Sequence, residues 1–83
     1  MVIPFTWNIY PNPFLEYTIV NFSNPANHLF VLKLFDLSGK IVREYKSDSN
    51  QIIIRKQSLA EGFYVLQFIS DNISQKDMVI ISK

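Results

Sequence analysis

Proline placement constrains this chain more than any other feature. Pro4, Pro11, Pro13 and Pro25 all fall in the first third of the 83 residues, three of them beside an asparagine. Proline fixes φ and lacks an N–H, and the residue before it avoids the helical region. Asn-Pro pairs favour turns, so helix is disfavoured through about residue 25. Beyond that point, short runs rich in β-branched and aromatic residues alternate with turn-forming clusters. Strands are expected near Leu15–Phe22, Leu29–Asp36, Ile41–Lys46, Gln51–Lys56, Phe63–Ser70 and Lys76–Ser82, with a short one in Val2–Ile9. The connectors are Ser23-Asn24-Pro25-Ala26-Asn27, Leu37-Ser38-Gly39-Lys40, Ser47-Asp48-Ser49-Asn50 and Asp71-Asn72-Ile73-Ser74. Strands at this spacing, joined by short turns, predict an all-β fold, an antiparallel β-sandwich of about seven strands.

Size asks for a dense core. A domain of this length buries only about 60% of the surface its unfolded chain exposes. The chain has 48% hydrophobic residues, among them seven Phe, four Tyr and Trp7, enough to stabilise one domain, 1–83, without metals or disulfides. Period-two alternation puts Phe30, Leu32 and Leu34 on one face of their strand, with Val31, Lys33 and Phe35 on the other. Tyr64, Leu66 and Phe68 likewise oppose Phe63, Val65 and Gln67. Both faces are largely apolar, which is unusual for a sandwich strand with a wet outer side and leaves two readings open, a covering partner domain or scattered surface apolar residues.

Several functional classes lose support. There is no Cys, hence no disulfide framework or thiolate metal site. A formal charge of +1 gives no electrostatic footprint for nucleic acid. No apolar run reaches the roughly 18–20 residues of a membrane-spanning helix. Residues 1–7 lack a basic region followed by a long apolar stretch, so no signal peptide is expected there. The chain is either a piece of a longer secreted protein or one that stays in the cytoplasm. His28 is the only histidine, which rules out a histidine metal cluster and a Ser-His-acid relay built elsewhere. Two glycines cannot make a phosphate-cradling loop. No catalytic, cofactor or metal residues are assigned, no small-molecule substrate is expected, and the chain is read as a non-enzyme.

Three short motifs remain. In Tyr10-Pro11-Asn12-Pro13-Phe14, two prolines flank an Asn able to accept turn hydrogen bonds, a stiff, extended entrance to the first main strand. In Phe35-Asp36-Leu37-Ser38-Gly39-Lys40-Ile41-Val42, Gly39 is expected at positive φ in a tight hairpin where Asp36 bonds backbone amides. In Leu59-Ala60-Glu61-Gly62-Phe63-Tyr64-Val65-Leu66, Leu59 anchors the loop, Gly62 turns the chain, and Tyr64 buries its ring while its hydroxyl finds a partner. Each motif alone is a turn.

In this order and spacing, together with the closing stretch Lys76-Asp77-Met78-Val79-Ile80-Ile81-Ser82-Lys83, they resemble the type A C-terminal sorting domain of type IX secretion, over residues 10–83. The resemblance implies an immunoglobulin-like sandwich carried on a larger secreted cargo protein in Gram-negative bacteria. It further implies recognition by the outer-membrane secretion machinery, removal by a sortase-like peptidase, and delivery through the periplasm to the cell surface or beyond. Pro11, Asn12 and Pro13 match the entrance motif, Gly39 and Lys40 the hairpin, Gly62 and Tyr64 the late turn, and Lys76 and Lys83 bound the tail. Phe14 and the stretch 31–42 are also similar to the immunoglobulin-like domain of flagellar hook-capping proteins.

Two roles stay open beside sorting. One is a structural spacer of the hook-capping kind. The other is an accessory module that grips polysaccharide, for which Trp7, Tyr10 or Tyr45 would supply exposed aromatics on one face. For the sorting role, the strand over Lys76–Ser82 is expected at or near a sheet edge, open to strand addition by a partner, with Lys76 and Lys83 setting register.

Overall fold

The computed structural model describes residues 7–23, 28–70 and 73–83. Seven strands account for most of them: β1 Trp7–Tyr10, β2 Tyr17–Phe22, β3 Phe30–Asp36, β4 Ile41–Ser47, β5 Gln51–Arg55, β6 Gly62–Ser70 and β7 Ile73–Ile81. They pair antiparallel into two sheets, a three-stranded one in the order β1-β2-β5 and a four-stranded one in the order β4-β3-β6-β7. Hairpins join β3 to β4 and β6 to β7, β1 and β2 are neighbours in the smaller sheet, and β2 to β3, β4 to β5 and β5 to β6 each pass from one sheet to the other. This is an immunoglobulin-like antiparallel sandwich, as expected.

The expected strands are present with shifted ends. The chain enters β2 two residues later than Leu15, and β7 begins at Ile73, so Ile73 and Ser74 belong to the strand and not to a turn. Of the strand expected in Val2–Ile9, only Trp7–Ile9 lies among the described residues, within β1. The connector residues 24–27 and 71–72 lie outside them.

Alternation builds the core. Trp7, Ile9, Thr18, Val20, Phe22, Ile52 and Ile54 face inward from the smaller sheet, opposite Phe30, Leu32, Leu34, Tyr64, Leu66 and Phe68. At one end Phe22, Phe30 and Phe68 pack with ring centroids 4.7–5.2 Å apart, and Trp7 meets Phe68 edge-on at 6.5 Å. At the other end Phe14, Val79 and Ile81 close the core. Burying each such side chain contributes roughly 1.5–3 kcal/mol before chain entropy is counted.

Three strands cannot roof four. Arg43 on β4 donates from Nη1 to the Arg55 carbonyl of β5 at 2.9 Å, aligning one side of the sandwich. The opposite margin of the larger sheet, β7, therefore overhangs. Its residues 73–78 are all exposed, whereas Val79 and Ile81 are buried.

Candidate functional site

The surface around β7 starts with the entrance motif. After β1 the chain leaves the smaller sheet, runs beside β7, and returns as β2. The peptide bonds preceding Pro11 and Pro13 are both cis. The segment does not simply lead into β2 as the expected extended entrance: Phe14 forms a parallel bridge with Ile81. Its N–H donates to the Ile80 carbonyl at 2.9 Å, and its carbonyl accepts the Ser82 N–H at 2.7 Å. Two residues earlier the Asn12 side chain continues the pairing. Its Nδ2 donates to the Met78 carbonyl at 3.1 Å and its Oδ1 accepts the Ile80 N–H at 2.9 Å. A primary amide presents a donor and an acceptor side by side, so Asn12 stands in for a strand residue where prolines supply no N–H. The segment is fixed from inside. Phe14 is 1% exposed, and Thr18, a buried polar residue of the core, donates its hydroxyl to the Pro11 carbonyl at 2.7 Å.

The hairpin motif behaves as its sequence predicts. Gly39 has φ +90°. Asp36 Oδ1 accepts from the Ser38 N–H, the Ser38 hydroxyl and the Lys40 N–H at 2.6–3.0 Å. The backbone closes the turn, with Asp36 N–H to Lys40 carbonyl at 2.9 Å and Gly39 N–H to Asp36 carbonyl at 3.0 Å. The Ser38 hydroxyl, then the Lys40 amide, hold the Asp36 carboxyl below its ordinary range. Donors aimed at a carboxylate favour its charged form.

The late turn follows the same logic. Gly62 sits at φ +141°, a backbone region that side chains rarely adopt. Tyr64 is buried, and its hydroxyl donates to the Ala60 carbonyl at 2.6 Å. Leu59 is half-buried against the core. Tyr64 lies opposite Val79, and Gly62 opposite Ile81. Pro11, Asn12, Pro13, Gly39, Lys40, Gly62 and Tyr64 therefore gather at one end of the sandwich. Lys76 lies on the overhanging stretch and lines a surface hollow with Asp36 and Gly39 of the hairpin, and Lys83 is exposed just past β7.

The polysaccharide alternative loses its platform. Trp7 and Tyr45 are half-buried, facing the core opposite Phe22 and Leu32, while Tyr10 is exposed on the outer face of the smaller sheet opposite Ile19. The three rings share no surface. No group of His, Asp and Glu able to hold a metal ion occurs among the described residues. On the outer face of the larger sheet, Ile41, Phe35, Val65 and Met78 form a continuous apolar row, with Phe63 and Ile80 paired beside it. The row explains why β3 and β6 read as apolar on both faces.

Sequence reading missed the role of Asn12. A Pro-flanked Asn signals a turn, and a pairing across 66 to 68 residues leaves no local trace. The contacts of Thr18 to Pro11 and Arg43 to Arg55, seven and twelve residues apart, also follow no local motif.

Fold and surface together define a small β-sandwich module whose distinctive parts are turns and a margin strand. The family model of the secretion system C-terminal sorting domain matches residues 8–82, and the chain belongs to that family. Such a domain is the sorting signal for type IX secretion of a cargo protein, and the family is not catalytic. No curated protein matches the chain.

Proposed function

We propose that the secretion machinery reads this domain as a folded object, and that the tail Lys76–Lys83 acts only when held in the sandwich. The observation that carries this is the clamp on β7: Asn12 and Phe14 bond Met78, Ile80 and Ser82, while Val79 and Ile81 are buried. The side chains of Val79 and Ile81 are unreadable as part of a linear peptide, because the core hides them. What it offers is backbone and outward side chains in a fixed geometry.

On this reading residues 1–83 act as one domain joined to an upstream cargo domain, the recognising partner belongs to the outer-membrane machinery, and a sortase-like peptidase removes the domain after transport. The destination is the cell surface or the extracellular space.

The test fuses the chain to the C-terminus of a reporter in a Gram-negative host with type IX machinery. Phe14→Ala leaves every tail residue in place but opens the core. Surface delivery should fall at least tenfold, in step with loss of the β-sheet circular dichroism of the purified domain. Wild-type delivery of a fusion whose domain is unfolded would show that the tail is read as a linear peptide.

A further inference from the structure

The clamp divides the edge of β7, and the division locates a docking site. The groups bound by residues 12–14 are the Met78 carbonyl, both backbone groups of Ile80, and the Ser82 N–H. All point away from β6. Strand geometry repeats every two residues, so the N–H and C=O of Ser74 and Lys76 point the same way. None of these has a hydrogen-bond partner among the described residues. The Met78 N–H, next in the row, is taken by the Asp77 carboxylate oxygen at 2.8 Å, which closes the open stretch at that point. Every residue from Ile73 to Met78 is exposed, so nothing roofs the approach.

We infer that an extended segment of a protein of the secretion machinery adds to the larger sheet along Ile73–Asp77, bonding the Ser74 and Lys76 backbone as a fifth strand. This rests on the folded-domain reading above. It moves the docking edge from the Lys76–Ser82 of the sequence reading to Ile73–Asp77, which shares only Lys76 and Asp77 with it, because the entrance motif already occupies the rest. An unpaired strand edge is complementary to a single kind of occupant, another strand. The occupant's side chain opposite Lys76 also follows from the register. The outer row reads Glu44, Lys33, Gln67, Lys76 across the four strands, ending on a cation whose neighbour is uncharged. An acidic residue beside Lys76 would pair with it across the strands as Glu44 pairs with Lys33. The opposite margin is a poorer match, because β4 is tied to β5 through Arg43.

Proline supplies the test, since it deletes one donor and is tolerated where that donor faces outward from an edge strand. Lys76→Pro and Ser74→Pro each remove an outward N–H and leave the β6 ladder intact. Lys76→Gln keeps the N–H and loses the charge. In the reporter fusion, each Pro variant whose thermal midpoint stays within about 5 °C of wild type should lose at least tenfold in surface delivery, and Lys76→Gln no more than about threefold. Wild-type delivery by a folded Pro variant overturns the proposal, while the Phe14→Ala result decides separately whether the fold is read at all. Amide exchange on the unmodified domain tests the edge without any variant. The Ser74 and Lys76 amides should exchange freely while those of Gln75 and Asp77 are protected. Slow exchange at Ser74 and Lys76 would mean the edge is already filled. A concentration-dependent dimer in sedimentation, abolished by Lys76→Pro, would make a second copy of the chain the occupant and overturn the assignment to the machinery.

Discussion

The two halves of β7 share one ladder with β6, yet they live in different surroundings. From Met78 onward the strand is clamped by the entrance motif on its outer edge, and its inward residues Val79 and Ile81 sit against Phe14 and Tyr64 in the closing end of the core. From Ile73 to Asp77 the same strand has the β6 ladder and little else. Its inward positions Ile73, Gln75 and Asp77 are all exposed, because the three-stranded sheet does not reach over them. One half is a fixed reference and the other an open surface. A docking strand needs both, since an edge that frayed along its whole length would have no defined register.

The contrast breaks most readily at Phe14. Phe14→Ala should cost about 3–5 kcal/mol, against a total stability of only about 0.05–0.15 kcal/mol per residue. Urea denaturation should show its midpoint falling by a large fraction of the wild-type value. The matching change in the open half, Gln75→Ala, should stay within about 0.5 kcal/mol. A large loss at Gln75 would mean that the overhang is packed after all.

Adjacent residues give a sharper pair. Val79→Ala removes a buried side chain and should cost about 1.5–3 kcal/mol. Met78→Ala, half-exposed on the other face, should cost clearly less in the same denaturation series. Asn12→Ala comes next, removing two side-chain hydrogen bonds that water can partly replace, for about 1 kcal/mol. Its signature is local: exchange at the Ile80 amide should accelerate several-fold while Gln75 is unaffected. Tyr64→Phe, which loses the hydroxyl contact to Ala60 beside the clamped half, should also cost about 1 kcal/mol in thermal denaturation.

The smallest effect belongs to the turn at the closed end. Because the folded carboxyl of Asp36 titrates below its unfolded value, its contribution is complete above the ordinary carboxylate pKa of about 3.9 and fades as pH falls through the lower folded value. Asp36→Asn should therefore lower the thermal midpoint slightly at neutral pH, and the two proteins should converge in acid. Solvent screening at this exposed turn keeps the difference small.

Much of this was legible locally. Gly39 and Gly62 sit at positive φ where their turns required it, and the carboxylate of Asp36 and hydroxyl of Tyr64 found backbone partners within four residues. Alternation in β3 and β6 put Leu32 with Leu34 and Leu66 with Phe68, but with both faces apolar only the structure showed that these face the core. The tail was harder to read. Its apolar residues suggested one uniform strand from Lys76 to Ser82, yet the strand begins at Ile73 and its first five residues are open.

Sequence alone determined the strand pattern, the turn chemistry and the family likeness, because each depends on residues within a few positions of one another. Tertiary structure decided which edge of β7 is closed and which is open. That depends on where a proline-bounded segment crosses from one sheet to the other, and on an asparagine meeting a strand some 66 residues further along the chain. Periodicity cannot encode such a meeting, since only the folded core brings the two together.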